Sequence, residues 1–284
     1  MDYDLIVIGS GPGGYVAAIR AAQLKMKVAV VEKNEIGGIC LNWGCIPTKS
    51  LLKSAQVYEY MTHAAEYGII AGSGFMPDFG AIVSRSRAVA ESMSKGVQFL
   101  FRKNKIELIN GIGKLAGNGT VEVTGSEGSK RSYSAKSIIL ATGARSKELP
   151  GLKQDGRKII GYREAMTLGR QPGSMVIVGS GAIGSEFANF YQSIGTQVTL
   201  VEFLPRIVPN EDEEVSKYLE RSFKKMKMRV LTGSAVESAD TDGDKCKVNI
   251  KTPQGIEVVE TDIVFSAAGV TPNTEGIGLE ETNV

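Results

Sequence analysis

Histidine, tryptophan and cysteine are scarce in this chain of 284 residues: one His, one Trp and three Cys. Three cysteines exclude a disulfide-stapled secreted scaffold, which packs several pairs into a far shorter chain. A structural zinc takes about four N or S ligands. Cys40, Cys45, Cys246 and His63 are the only candidates, and all would have to converge. No metal site is therefore expected, and His63, in MTHAAEYG, reads as a structural or surface residue. No apolar run approaches the roughly 20 residues of a membrane span. Net charge is only +2, so no strong field points to nucleic acid or an anionic membrane as a partner. The first strand pattern begins at Leu5 and leaves no room for a targeting segment. A soluble cytoplasmic protein of bacterial type is expected, and the length favours two domains.

Glycine, in contrast, is plentiful at 34 residues, and much of it is clustered. The N-terminus reads YDLIVIGSGPGGYVAAIRAAQLKMKVAVVEK. An apolar run without alternation, Leu5 to Ile8, is the pattern of a strand buried on both faces. It meets a G-x-G-x-x-G at Gly9, Gly11 and Gly14. A helical stretch with a small face of Ala17, Ala18, Ala21 and Ala22 follows, then a second strand from Val28 that ends at Glu32. The unit recurs 170 residues on as MVIVGSGAIGSEFANFYQSIGTQVTLVEF, with Gly179, Gly181, Gly184 and Glu202. Residues 9–32 and 179–202 share eight of 24 positions: the three glycines, Ser10/Ser180, Ala18/Ala188, Val28/Val198, Val31/Val201 and the Glu pair. The spacing has a chemical reason. The first glycine makes the tight turn, the second admits a pyrophosphate to the backbone, and the third lets helix pack on strand. The helix N-terminus offers N–H groups to the phosphates, and the acid accepts hydrogen bonds from a ribose diol. Glu202, where an Arg would suit a 2′-phosphate, points to NAD at the second site.

The remainder reads more coarsely. Residues 46–62 and 81–103 look helical, 106–134 look like short strands, and 137–144 look like a strand running into a Gly turn. Residues 151–158 look like a polar linker, 211–228 like a charged amphipathic helix, and 230–265 like a β-meander. The expected fold is α/β, with two Rossmann-like three-layer domains, each with a small meander. Their expected spans are 1–148 and 149–271, with 272–284 starting a return to the first.

Cys40 and Cys45 stand five apart in GGICLNWGCIPTKS. Gly37, Gly38, Gly44 and Pro47 are unsuited to a core helix holding two inert thiols. A redox-active pair remains beside that alternative. In a regular helix residues five apart have Cα atoms about 8.5 Å apart, and disulfides rarely exceed about 7 Å. A bonded pair therefore requires a departure from regular helix, and Gly44 before Cys45 and Pro47 after it are expected to supply the break. Such a strained, accessible disulfide is the reducible kind.

The stretch GGICLNWGCIPTKSLL resembles the signature of the pyridine nucleotide–disulfide oxidoreductases, and ATGA, GSGAIGSE and AAGVTPN extend the resemblance over all 284 residues. The LNxGCIPxKxLL form is most like the members that oxidise dihydrolipoyl groups; mercuric and glutathione reductases carry related signatures. The resemblance implies FAD in the first domain, held by Gly9, Gly11, Gly14, Glu32, Lys33, Gly38, Cys40, Gly113, Thr142 and Gly143. It implies NAD in the second, held by Gly179, Gly181, Gly184, Glu202, Val236 and Gly269. Cys45 would be the thiolate beside the flavin and Cys40 the thiol that exchanges with substrate. Lys49, near the flavin, would be the neighbouring cation, paired with Glu186. The implied substrate is the dihydrolipoyl group of a 2-oxoacid dehydrogenase or glycine cleavage complex, and the full-length form would be a homodimer. Ile39 stands where the family has Thr, and Val270 where many relatives have Arg. The family's C-terminal domain, with its His–Glu base, has no counterpart before Val284. The chain thus resembles an N-terminal portion, whose own turnover is expected to be negligible. A dinucleotide-binding module without turnover is the competing reading.

Overall fold

The computed structural model describes residues 1–72 and 74–282. The chain divides into two compact units. One holds residues 1–47, 87–145 and those from 271 onward; the other holds 48–86 and 146–270.

In the first unit, β1 (Tyr3–Ile8), α1 (Pro12–Gln23) and β2 (Val28–Glu32) form a βαβ turn. Next come α2 (Gly38–Trp43) and the first residues of α3 (Cys45–Thr62). The chain returns in the second half of α4 (Phe79–Lys103) and forms β3 (Glu107–Asn110), β4 (Ile112–Leu115), β5 (Thr120–Thr124) and β6 (Lys130–Leu140). The six strands lie in the order β3-β2-β1-β6-β5-β4. The first four pair in parallel, and β5 pairs antiparallel with both β6 and β4. Leu5 and Val7 of β1 pack with α1, α2 and α4, whereas Ile6 and Ile8 pack with Val121 and Val123 of β5. Two covered faces explain the unbroken apolar run.

Strand β6 corrects the sequence reading, which separates 106–134 from a strand at 137–144. One strand of 11 residues runs through both. Its first part, Lys130–Ser134, pairs with β5, and Ala135–Leu140 continues along β1. No Gly or Pro interrupts Lys130–Leu140, so the pleat is unbroken.

The second unit is entered through β7 (Ala144–Ser146) and left through β16 (Val270–Pro272). It contains β8 (Ile159–Ile160), α5 (Tyr162–Ala165), β9 (Ser174–Val178), α6 (Ala182–Ser193), β10 (Gln197–Val201), α7 (Glu213–Lys225) and β11 (Arg229–Leu231). There follow β12 (Ala235–Asp240), β13 (Cys246–Thr252), β14 (Gly255–Thr261) and β15 (Ile263–Ser266). A parallel sheet runs β11-β10-β9-β15-β8, and β12-β13-β14 form a separate antiparallel sheet. The meander expected over 230–265 is therefore only its middle. The burial pattern shows why: β13 alternates buried with more exposed residues, whereas Val264, Phe265 and Ser266 of β15 are all buried, as in a strand covered on both faces. The stretch 151–158 is also more than a polar linker, because Leu152 lies fully buried in the core with Ile159 and Val248.

Helix α6 presents Phe187, Phe190 and Tyr191 to an aromatic cluster. Phe79, at the start of α4, packs on Phe190 and Tyr191 with ring centroids 6.5 and 6.2 Å away, and Phe265 meets Phe187 at 5.0 Å. Tyr191 is fully buried, and its hydroxyl donates to the Ala165 carbonyl at 2.6 Å. Burial pushes this phenol far above its ordinary value, so it stays a donor. Tyr191→Phe is expected to cost about 1–3 kcal/mol by leaving that carbonyl unpaired. Denaturant titration of the two forms measures it.

Candidate functional site

The two glycine loops are built alike. Gly9 and Gly179 have φ of +102° and +98°, a left-handed turn that any side chain would strain. A Cβ at Gly14 would fall 1.9 Å from the Gly9 carbonyl oxygen, and one at Gly184 would fall 1.9 Å from that of Gly179. The first and third glycines are thus required by the protein's own backbone. The middle ones are not. Among the described residues, a Cβ at Gly181 would meet no atom within 4 Å, and one at Gly11 only the Gly38 Cα at 4.0 Å. Both have negative φ, −65° and −61°, which any residue tolerates. These glycines cap α1 and α6 with no side-chain hydrogen bond and no acid in the first turn. Each loop therefore leaves open space at an uncapped helix N-terminus, where N–H groups and the helix dipole favour an anion. The donor set fits a pyrophosphate.

The acids close both loops in the same way. Glu32 is buried at the end of β2, and Glu202 is buried immediately after β10. The Ser10 N–H and hydroxyl donate to Glu32 Oε2 at 2.9 and 2.5 Å, and the Asn34 N–H donates to Oε1 at 2.8 Å. The Ser180 N–H and hydroxyl donate to Glu202 Oε2 at 2.8 and 2.7 Å, and the Leu204 N–H donates to Oε1 at 2.8 Å. The sequence singles out Ser10 and Ser180 only as matching letters of the repeat; their hydrogen bonds were not legible there.

The cysteines lie on two helices. Cys40 is half-buried in α2, and Cys45 is exposed as the first residue of α3. Gly44, at φ −147° and ψ −117°, separates them, so the link is not regular helix. Asn42 Nδ2 holds α2 in place by donating to the carbonyls of Ile36 at 2.9 Å and Gly38 at 3.0 Å. The Arg87 guanidinium lies 4.2 Å over the Trp43 ring. Cys45 opens a helix of 18 residues, an end where negative charge is favoured. Cys246 belongs to a different environment, the core of the second unit, where burial pushes its thiol up. In that second unit Lys49 Nζ lies 3.6 Å from Glu186 Oε1.

The remaining candidates vary in setting. Gly38 lies so close to Gly11 that a Cβ would reach its Cα at 2.7 Å. Gly113 sits over Ile8 and Val31, the C-terminal ends of β1 and β2. The Thr142 hydroxyl is committed to the protein, donating to the Asn273 carbonyl at 2.7 Å, while the Asn273 N–H reaches the Gly143 carbonyl at 2.9 Å. Lys33 is exposed, and Val236 is half-buried on β12. The Gly269 carbonyl accepts from the Lys147 N–H at 3.0 Å. His63 is exposed, with Nδ1 2.9 Å from the Glu59 carbonyl. Among the described residues no group of three or more His, Cys, Asp or Glu is placed to hold a metal ion, and no helix is long and apolar enough to cross a membrane.

Paired glycine loops and a cysteine pair beside the first define a class, and comparison with known proteins gives its name. The chain belongs to the pyridine nucleotide-disulphide oxidoreductase family, whose model matches residues 3–284. It is 48% identical over 285 residues to a dihydrolipoyl dehydrogenase of Zymomonas mobilis, an alignment covering 99% of this chain and 60% of that one. It is 43% identical over 297 residues to a dihydrolipoyl dehydrogenase of Rhizobium etli, covering 99% and 62%. The crystal structure of LpdA from Mycobacterium tuberculosis matches with a TM-score of 0.89 at 28% identity, over 99% of this chain and 61% of that one. The chain thus spans about three fifths of the length of these relatives.

Proposed function

We propose that this chain supplies the two dinucleotide sites and the dithiol of a dihydrolipoyl dehydrogenase, which oxidises dihydrolipoyl groups with NAD+ through Cys40, Cys45 and FAD. The observation that carries the reading is the middle glycine of each loop. Gly11 and Gly181 answer no need of the protein, and the space above them suits a pyrophosphate. The first loop, Glu32, Gly38 and the cysteine helix α2 would hold FAD; the second loop and Glu202 would hold NAD+. FAD, when bound there, would supply the two-electron redox chemistry that links the dithiol to NAD+.

The protein's own part is thiol exchange and positioning. Once the pair is oxidised to a disulfide, a substrate thiolate attacks Sγ of Cys40, the Cys40–Cys45 bond breaks, and Cys45 leaves as a thiolate. The second substrate thiolate then displaces Cys40, which takes up a proton as the substrate closes its own disulfide. Two electrons have moved from substrate to the cysteine pair. Cys45 holds its negative charge at the start of α3, and Lys49 follows four residues later on that helix. Glu186 steadies the Lys49 ammonium. The substrate in this reading is a dihydrolipoyl group on a 2-oxoacid dehydrogenase or glycine cleavage complex, and the full-length enzyme is a homodimer.

Lys49 is 67% exposed on its side chain, so its ion pair contributes less than about 1 kcal/mol to folding. Lys49→Met is expected to leave the melting curve nearly unchanged while slowing reduction of the cysteine pair, followed by stopped flow. The reading as a whole is tested by mixing the purified chain with FAD and recording visible spectra before and after anaerobic dihydrolipoamide. Reduction by dihydrolipoamide, with none by glutathione, supports it. Reduction by glutathione alone, or a chain that binds neither dinucleotide, rejects it.

A further inference from the structure

One identity of the internal repeat has no role in the reading above. Of the eight shared positions, the glycines shape the loops, and Ala18/Ala188, Val28/Val198 and Val31/Val201 are buried core. The Glu pair serves the ribose. Ser10/Ser180 is left over, and both serines are buried to 1% exposure or less.

We propose that Ser10 and Ser180 are positioning residues for the two acids, each fixing its carboxylate against the ribose of the dinucleotide. Ser180 thereby helps set the choice of a ribose diol over a 2′-phosphate. The inference rests on the loops being dinucleotide sites and adds to that reading the group that orients the acid.

The geometry is duplicated to the level of single bonds. In each unit the serine N–H and hydroxyl converge on Oε2, and the N–H two residues after the acid reaches Oε1. The hydroxyl's own orientation is also fixed, because its oxygen accepts a backbone N–H at 3.2 Å, from Gly37 in the first unit and from Val208 in the second. A hydroxyl that accepts from one side donates to the carboxylate on the other. Three donors occupy three of the roughly four acceptor sites of a carboxylate. The free one lies on Oε1, and an incoming hydroxyl finds it already aimed. Without the serine hydroxyl the carboxylate loses its shortest bond and its fixed rotation. A partly desolvated acceptor is then also under-satisfied. A 2′-phosphate offers no hydrogen to the free site and brings further negative charge. A rigid carboxylate rejects it more strongly than a mobile one that can turn aside.

The test uses the 284-residue chain with Ser180→Ala and Ser180→Thr. Each is titrated calorimetrically with NAD+, with NADP+ and with NAD+ whose adenosine lacks the 2′-hydroxyl; a melting curve is recorded for each. Ser180→Ala is expected to weaken NAD+ binding about tenfold, the worth of one hydrogen bond to a charged group. Binding of the 2′-deoxy dinucleotide is expected to be unchanged, and the NAD+ to NADP+ ratio to narrow. Ser180→Thr, which keeps the hydroxyl, restores the NAD+ affinity. Equal weakening of all three ligands, tracking a lowered melting temperature, overturns the proposal, as does a Ser180→Ala form that binds like the unmodified chain. If the unmodified chain binds none of the three, the dinucleotide reading of the loop fails and the proposal falls with it. That result is separate from failure of the serine alone.

Discussion

Gly181→Ala is expected to leave the melting temperature of the chain nearly unchanged and to weaken NAD+ binding about a hundredfold or more. The added methyl meets no atom of the described residues within 4 Å, and φ of −61° suits alanine. Folding therefore has nothing against it. The methyl does occupy the space through which a pyrophosphate approaches the N-terminus of α6, where close contact with the backbone is the source of affinity. Gly184→Ala, three residues away, is expected to behave in the opposite sense. Its methyl would lie 1.9 Å from the Gly179 carbonyl oxygen and 3.0 Å from its carbon, both main-chain atoms that cannot swing aside. Helix α6 would have to lift from β9, at a cost of about 3 kcal/mol or more, in the range of severe core lesions. Calorimetric melting and NAD+ titration of the two variants make the comparison. If Gly181→Ala melts as low as Gly184→Ala, the middle glycine is structural and the strongest support for a ligand at this loop disappears.

Cys45→Ser is expected to abolish reduction of the FAD-loaded chain by dihydrolipoamide, a loss of about a thousandfold or more, because a hydroxyl neither forms the disulfide nor leaves as a stable anion at neutral pH. Cys246→Ala is expected to leave that reduction unchanged and to lower stability modestly, since it removes a sulfur from a closed apolar core. The difference lies in environment. Cys45 is exposed at a helix N-terminus after the break at Gly44, whereas Cys246 is enclosed by Val248, Ile250 and Val264. Thiol titration of the denatured chain after mild oxidation gives a second reading. Two of three thiols should disappear in the unmodified chain and none in Cys45→Ser. A loss of Cys246 in place of the pair would sink the assignment.

Much of the fold was legible because the signals are local. The apolar runs Leu5–Ile8 and Met175–Val178, followed by glycines and small residues, encode strand, turn and helix within a few tens of residues. The acid at each second strand's end completes a unit whose parts touch. The Gly44 break was legible for the same reason. Other features were hidden by distance along the chain. The continuity of β6 depends on pairing with β5 on one part and β1 on the other. The separation of β11 and β15 from the meander depends on which neighbour each strand finds. Thr142, which the resemblance assigns to the FAD site, donates its hydroxyl to the Asn273 carbonyl 131 residues away, a partner that no local pattern reveals.

The sequence alone determined that this chain carries two copies of a dinucleotide loop and one cysteine pair, since glycine spacing, helix start and strand end are short-range requirements met within each copy. Only the tertiary structure decided what those residues spend their bonds on. It separated the glycines that the backbone demands from those at a helix end with no side-chain cap. It put residues 48–86 with the second unit, where Phe79 packs on Phe190 and Tyr191. It also turned a repeated serine into the partner of a buried acid. The physical reason is common to all three: close approach, burial and hydrogen-bond satisfaction are properties of neighbours in space, and these neighbours lie from five to more than 100 residues apart.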